Sequence, residues 1–160
     1  MIYFKKTYFD NREKAGIEAA IRKSAIKCTS LINLETSTSD IGTDKYFFGF
    51  ENKKALFFTR VRTSFERILP KVVFKLSKSE DEFFYGFRLG TITLLAFFLI
   101  GFGSIVNLAF VIAGKIPATD SLTPLLFLLI LLGLIWLELK ITSSKIQKAI
   151  EKYQMLTMKK

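Results

Sequence analysis

Residues 89–114 read LGTITLLAFFLIGFGSIVNLAFVIAG, an unbroken run without a charged side chain. Coiled as a helix at about 1.5 Å per residue, the run is longer than the roughly 30 Å hydrocarbon core of a bilayer and can cross it with some tilt. Residues 121–139 read SLTPLLFLLILLGLIWLEL, in which Leu125 to Leu132 are nearly all residues whose insertion is favoured by about 0.3 to 0.6 kcal/mol each. Glu138 and Lys140 then fall at the expected interface, with Trp136 as an aromatic anchor. The intervening Lys115-Ile-Pro-Ala-Thr-Asp120 is too short for a domain and forces an antiparallel hairpin. Thr123 is the expected N-cap of the second helix and Pro124 its first helical residue. Reading the two runs as core helices of a soluble fold would require a protein shell that the rest of this chain is too small to supply.

Composition supports the same division. Half of the 160 residues are hydrophobic and 24% are charged, which is compatible only with segregation along the chain. From Leu89 to Leu137 the charged residues are Lys115 and Asp120 alone. Basic residues flank this stretch: many precede it, ending with Arg88, and Lys140, Lys145, Lys148, Lys152, Lys159 and Lys160 follow it, whereas the turn has only Lys115. The excess of Lys and Arg on both flanks places both termini in the cytoplasm. The expected organisation is a cytoplasmic domain over 1–88, a first span over 89–114, an external turn over 115–120, a second span over 121–139 and a basic cytoplasmic tail over 140–160. The expected location is the cytoplasmic (inner) membrane.

Chemistry is sparse. The chain has no histidine, which removes the usual neutral-pH base and the commonest metal ligand. Its single cysteine, Cys28, can form no internal disulfide, suits a reducing compartment, and has no histidine to activate it. Met1 to Phe9 lack the apolar run and cleavage site of a signal peptide. The sequence contains no phosphate-cradling loop, metal-spaced cysteine pair or nucleophile elbow. Gly101-Phe-Gly103 follows no strand and is no dinucleotide motif. Glu80-Asp-Glu82 sit in a turn, where consecutive side chains point apart. An enzyme would have to work with Asp, Glu, Lys, Ser or Tyr alone, and no catalytic, cofactor-binding or metal-binding residue is assigned.

In the first 88 residues, Asp10-Asn-Arg-Glu13 resembles a capping box, and Ile17, Ala20, Ile21, Ser24 and Cys28 recur at helical spacing, predicting an amphipathic helix over about 11–28. Thr36 to Asp44 is rich in turn formers. Tyr46–Phe50 and Leu56–Arg62 read as strands joined by the turn Glu51–Lys54, Thr63–Leu69 as a helical turn ending at Pro70, Val72–Leu76 as a half-buried strand, and Glu82–Phe87 as another after a turn at Lys78–Asp81. The expectation is a small α+β domain with one helix and about four antiparallel strands. The last strand runs into Gly90 without a linker, so the domain should sit against the bilayer.

Two further patterns stand out. Ala96, Ile100, Gly103, Asn107 and Gly114 form a stripe at three- and four-residue spacing, expected to be a helix-packing face. In the tail, Ile146, Ala149, Ile150 and Tyr153 share one helical face and Lys145, Lys148 and Lys152 the next, a basic amphipathic helix whose lysines are expected at a lipid surface. These features imply a membrane-anchored interaction or regulatory module without catalysis, in contact with membrane lipids and with a protein partner or a second copy of itself. Neither nucleic acid nor a small-molecule substrate is expected. The alternative is a membrane-perturbing effector that oligomerises through its hairpin; an enzyme on lipid substrate ranks below both.

Overall fold

In the computed structural model, which describes residues 5–8, 11–36, 45–78 and 84–158, the aromatic runs Phe47-Phe-Gly-Phe-Glu51 (β3) and Ala55–Arg60 (β4) form an antiparallel hairpin. Its turn is closed by the Asn52 side-chain oxygen, which accepts from Lys54 N (2.9 Å) and Ala55 N (2.7 Å). Val72–Ser77 (β5) and Phe84–Leu89 (β6) add to β4 in sequence order, antiparallel throughout. Ala25–Lys27 (β2) lies outside β3 and parallel to it, giving a five-stranded mixed body; Lys5–Tyr8 (β1) adds along β6.

The sheet is therefore larger than the four antiparallel strands expected. The first helix, α1 (Asn11–Lys23), stops at Ser24, whose N–H bonds back to Ala20 and Ile21. The next three residues leave the helix to pair with Phe47–Gly49. Cys28 kept the helical spacing by coincidence, and its N–H instead donates to the Gly49 carbonyl at 2.7 Å. The parallel β2–β3 pair requires a crossover, which carries a second helix, α2 (Leu31–Thr36), that no sequence periodicity announced. Residues 37–44 of the expected loop Thr36–Asp44, residues 79–81 of the expected turn Lys78–Asp81, Glu82 at the start of the expected last strand, Asp10 as the cap of α1, and Lys159 and Lys160 lie outside the described residues, while Thr36 ends α2.

Two long helices follow β6: α3 (Thr91–Ile112) and α4 (Ala118–Met158). Both are long and apolar enough to cross a membrane. At about 1.5 Å per residue α4 is about 60 Å long. It begins ahead of Thr123, so Pro124 lies inside it rather than at its first position, and Asp120 occupies the first turn, where a carboxylate complements the helix dipole. At the other end of the turn, Gly114 takes φ +67°; its N–H bonds to Val111 O and that of Lys115 to Phe110 O, the paired bonds of a Schellman cap that a left-handed glycine permits.

Each face of the sheet has its own core. On one face, Phe47, Leu56, Phe58, Phe74, Leu76 and Phe87 pack with Ile17 and Ile21 of α1 and with Ile146 and Ala149 of α4. On the other, Phe48, Ala55, Phe57 and Val73 pack with Leu34 of α2. The strand alternation predicts this partition: Phe74 is fully buried while Lys75 is only half-buried. The tail is thus part of the folded unit, continuing α4 across the sheet beside α1.

Candidate functional site at the junction of sheet and helices

Along α4 the buried and half-buried positions Ser121, Pro124, Leu128, Leu131, Ile135, Glu138, Thr142, Ile146, Ala149 and Tyr153 recur every three or four residues, one stripe from end to end. Up to Ile135 the helix packs on α3; from Glu138 onward it meets the sheet domain. Glu138 is the hinge point of this change and is 0% exposed.

Two arginines of the sheet reach it. Arg60, at the end of β4, faces the same side as Leu56 and Phe58, and its Nη2 donates to Glu138 Oε2 at 2.8 Å. Arg62 Nη2 lies 3.3 Å from Glu138 Oε1. Arg62 is held in place by the carbonyls of Leu69 (2.7 Å) and Pro70 (2.9 Å). Arg60 Nη1 also pairs with Glu66 at 2.6 Å, and Glu66 accepts the Thr63 N–H at 3.0 Å. The cluster holds two positive and two negative charges, so it is internally neutral.

Burial works against the charge on Arg60, but Glu138 and then Glu66 hold its affinity for the proton above the ordinary value. For Arg62 burial prevails, and repulsion from Arg60 adds to it against the attraction of Glu138, so its value is lowered. Glu66 is also partly buried, but the Thr63 N–H and Arg60 bring its carboxyl below the usual range. Arg62 Nε and Thr142 Oγ1, both buried, have no hydrogen-bond partner among the described residues.

A second junction ties α2 to α3. Glu35 accepts from Arg88 Nη2 (2.9 Å) with one carboxylate oxygen and from Thr91 N (3.2 Å) with the other. It thereby caps α3 from outside, where the N-cap residue Gly90 offers no side chain. Gly90 sits at a close approach: a Cβ there would stand 3.2 Å from Lys71 O, which accepts the Gly90 N–H at 2.7 Å, so a larger residue would need Lys71 to give by a few tenths of an ångström. Lys71 N donates to Thr93 Oγ1, and Lys71 Nζ donates to Glu35 O at 2.6 Å. Burial first, then the charge of Arg62, brings the Lys71 amine down to about 8.

No family model, curated protein or solved structure matches this chain. Its reading rests on its own residues. In the cluster each cation is met by a carboxylate or by carbonyls, and no group of three His, Cys, Asp or Glu residues is gathered as a metal site among the described residues. A cleft of about 180 Å³ beside Arg22, Lys27, Phe50 and Glu51 is edged by Arg22 and Glu51, which already bind each other at 2.8 Å. What the junction can do is hold two parts of the molecule in fixed relation. Removing one partner from a buried ion pair costs about 3–5 kcal/mol.

The residues singled out from sequence are placed as follows. Ala96, Ile100 and Asn107 are half-buried, and with Thr93 and Ser104, which are buried, they form the side of α3 toward α4; Ser104 Oγ is 3.3 Å from Pro124 O. Gly103 is exposed, and a Cβ there would meet nothing within 4 Å; Gly114 serves the turn. The Asn107 side-chain oxygen is buried without a partner among the described residues. Lys145 and Lys152 stand over the Tyr46 ring at 5.2 and 5.9 Å, and Lys148 is exposed. By helix rise these three lysines lie about 10, 15 and 21 Å beyond Glu138. Sequence marks Glu138 only as an interface residue and assigns Arg60 and Arg62 no role, because their partner Glu138 lies 78 and 76 positions away. A lone carboxylate at the end of an apolar helix with two strand arginines elsewhere was the available signal.

Proposed function

We propose that this chain is a membrane-anchored interaction module: α3 and α4 cross the bilayer as a hairpin, and the sheet domain with the second half of α4 stands on the cytoplasmic side. The carrying observation is that α4 is one helix, apolar and outward-facing up to Leu137 yet built into the sheet core from Glu138 onward. Ile92, Leu95, Phe98, Phe102, Leu126 and Leu129 are all exposed, and water would be a costly surrounding for so continuous an apolar surface. Lys140 over the Trp136 ring and Lys115 over the Phe110 ring mark the two ends of this band, as cation-bearing aromatics do at interfaces. A reporter active only outside the cytoplasm tests the topology. It is expected to work when inserted at Pro117 and to be silent when fused at Lys160; activity at Lys160 contradicts the reading.

The interaction surface is the basic ridge of α4 around Tyr46. Lys148 and Lys152 lie further from the band than the roughly 8 Å screening length at physiological salt, which favours an acidic protein over lipid headgroups as their partner. A photo-crosslinking residue at Lys148 should trap one defined protein, and charge reversal of Lys145 and Lys148 should abolish the product. Trapping of lipid alone contradicts it.

The effector reading draws on Gly103 and Gly133, both exposed and without neighbours within 4 Å, so that a second copy could approach closely there. It requires oligomers and dye leakage from vesicles, with Gly103→Leu abolishing both.

A further inference from the structure

Between β4 and β5 the chain makes a single 3-10 turn, Phe65–Ile68, in which positions three apart stand on the same side. Phe65 is 91% exposed and Ile68 76%. A scattered surface hydrophobe needs no explanation, but this pair is held out by structure on every side. Before it, Arg60 and Arg62 are locked to Glu138. Within it, Glu66 is turned back to Arg60 and to the Thr63 N–H. After it, the Leu69 and Pro70 carbonyls hold Arg62, and Lys71 bonds to Gly90 and Thr93 at the start of α3. The turn is thus pinned between the points where α3 leaves the sheet and α4 returns to it.

We infer that Phe65 and Ile68 enter the interfacial region of the leaflet facing the sheet domain, making this turn a third membrane contact beside the two spans. This rests on the membrane reading proposed above. Glu138 lies just past Leu137, where the outward apolar band of α4 ends, and Glu66, between the two hydrophobes, shares the guanidinium that binds Glu138. Their level is therefore that of the interfacial anchor Trp136, where apolar side chains sit at the boundary of headgroups and acyl chains. At that level the leaflet itself would cover the two hydrophobes, and no separate partner is needed. Its effect would be to fix the tilt of the sheet domain over the bilayer, since a hairpin alone leaves the domain free to rock.

Trp136 is the single tryptophan, which gives the test an internal standard. The full chain is placed in phosphatidylcholine–phosphatidylglycerol vesicles whose acyl chains carry bromine, a short-range quencher of indole emission. Wild-type Trp136 should be quenched. In a Trp136→Phe background, Phe65→Trp and Ile68→Trp should each be quenched to a similar degree, while Met155→Trp, at the far end of α4, should keep its emission. If Trp136 is quenched and neither turn position is, the inference fails while the spans stand. An emission from the turn that is blue-shifted and sensitive to protein concentration but not to bromine would assign it to contact between copies and equally overturn it. If Trp136 itself is not quenched, the membrane reading fails first.

Discussion

The two halves of α4 are made of one unbroken helix and answer to different surroundings. From Ser121 to Leu137 its outward positions are mainly leucine, with isoleucine, phenylalanine and Trp136, and its inward stripe packs on α3. From Glu138 to Met158 its outward positions are mainly lysine, glutamate and glutamine, and its inward stripe is Thr142, Ile146 and Ala149 against the sheet. The same three-and-four spacing therefore serves two purposes: in the first half apolar residues lie on every side and the stripe is marked by fit, whereas in the second half the stripe is marked by polarity. Glu138 is where one rule replaces the other, and that place holds the most deeply buried charges among the described residues.

The comparison is broken most severely at that point. Glu138→Ala leaves Arg62 buried without a carboxylate and Arg60 with Glu66 alone, and should cost about 3–5 kcal/mol of stability in detergent-solubilised protein, measured by denaturant or thermal unfolding. Replacing all three together, Arg60→Met, Arg62→Met and Glu138→Leu, should recover most of the loss, because a well-packed apolar cluster can substitute for a buried ion network. Failure of the triple variant to recover would show that the charges do more than hold the halves together.

The next contrast sets one half against the other. Ile146→Ala removes a fully buried side chain from the sheet core and should cost about 2–5 kcal/mol. Leu129→Ala, on the outward face of the first half, should change folding stability by less than about 0.5 kcal/mol. Equal costs would mean that the first half is buried by something beyond α3.

A smaller effect comes from Lys71, which joins the sheet to α3. Unfolded, its amine titrates near 10.5; folded, near 8. Between those values the unfolded chain binds more protons, so wild-type stability should rise with pH from about 8 to 10.5, and below pH 8 the folded state bears the full cost of the charge. Lys71→Gln should lose this rise, seen as a flatter pH profile in parallel unfolding curves.

The smallest effect belongs to the surface. Glu51, bound foremost by Arg22 and then by Lys78, has its carboxyl brought down to about 2 from 4.5, so its contribution is complete above pH 4.5 and lost as pH falls through about 2. Because these groups are exposed, the acid sensitivity removed by Glu51→Gln should shrink in high salt, whereas the cost of Glu138→Ala should not.

Much of this organisation is legible in the residues. The hairpin, β3, β4, β5 and β6 and the turn before Pro70 follow from apolar runs, period-two alternation and turn formers. The short β2 escaped because Ala25-Ile-Lys27 is too brief to show a period and follows a helix whose spacing Cys28 happens to extend. α2 escaped because one turn and a half of helix has no periodicity to read. Gly114 has the spacing of a packing stripe but the conformation of a cap, and only the backbone distinguishes them. The junction was legible least: Glu138, Arg60, Glu35 and Arg88 are ordinary charged residues until folding brings pairs from distant parts of the chain together and excludes water from them. The tail's lysines were visible, but their distance from the apolar band follows from α4 being one helix, which no local pattern states.

That continuity is most directly tested by single-cysteine scanning of α4 in a Cys28→Ser background, with a membrane-impermeant maleimide applied to inside-out vesicles. Positions 125–136 should resist labelling all round. From 138 onward, reactivity should alternate with the helical period: Lys140, Ser144, Lys148 and Lys152 labelled, Thr142, Ile146 and Ala149 protected until the sheet is unfolded by denaturant. Uniform labelling after Glu138 would show a tail detached from the sheet, and labelling through 125–136 would show a helix that never enters the bilayer; either result contradicts a single helix shared between membrane and domain.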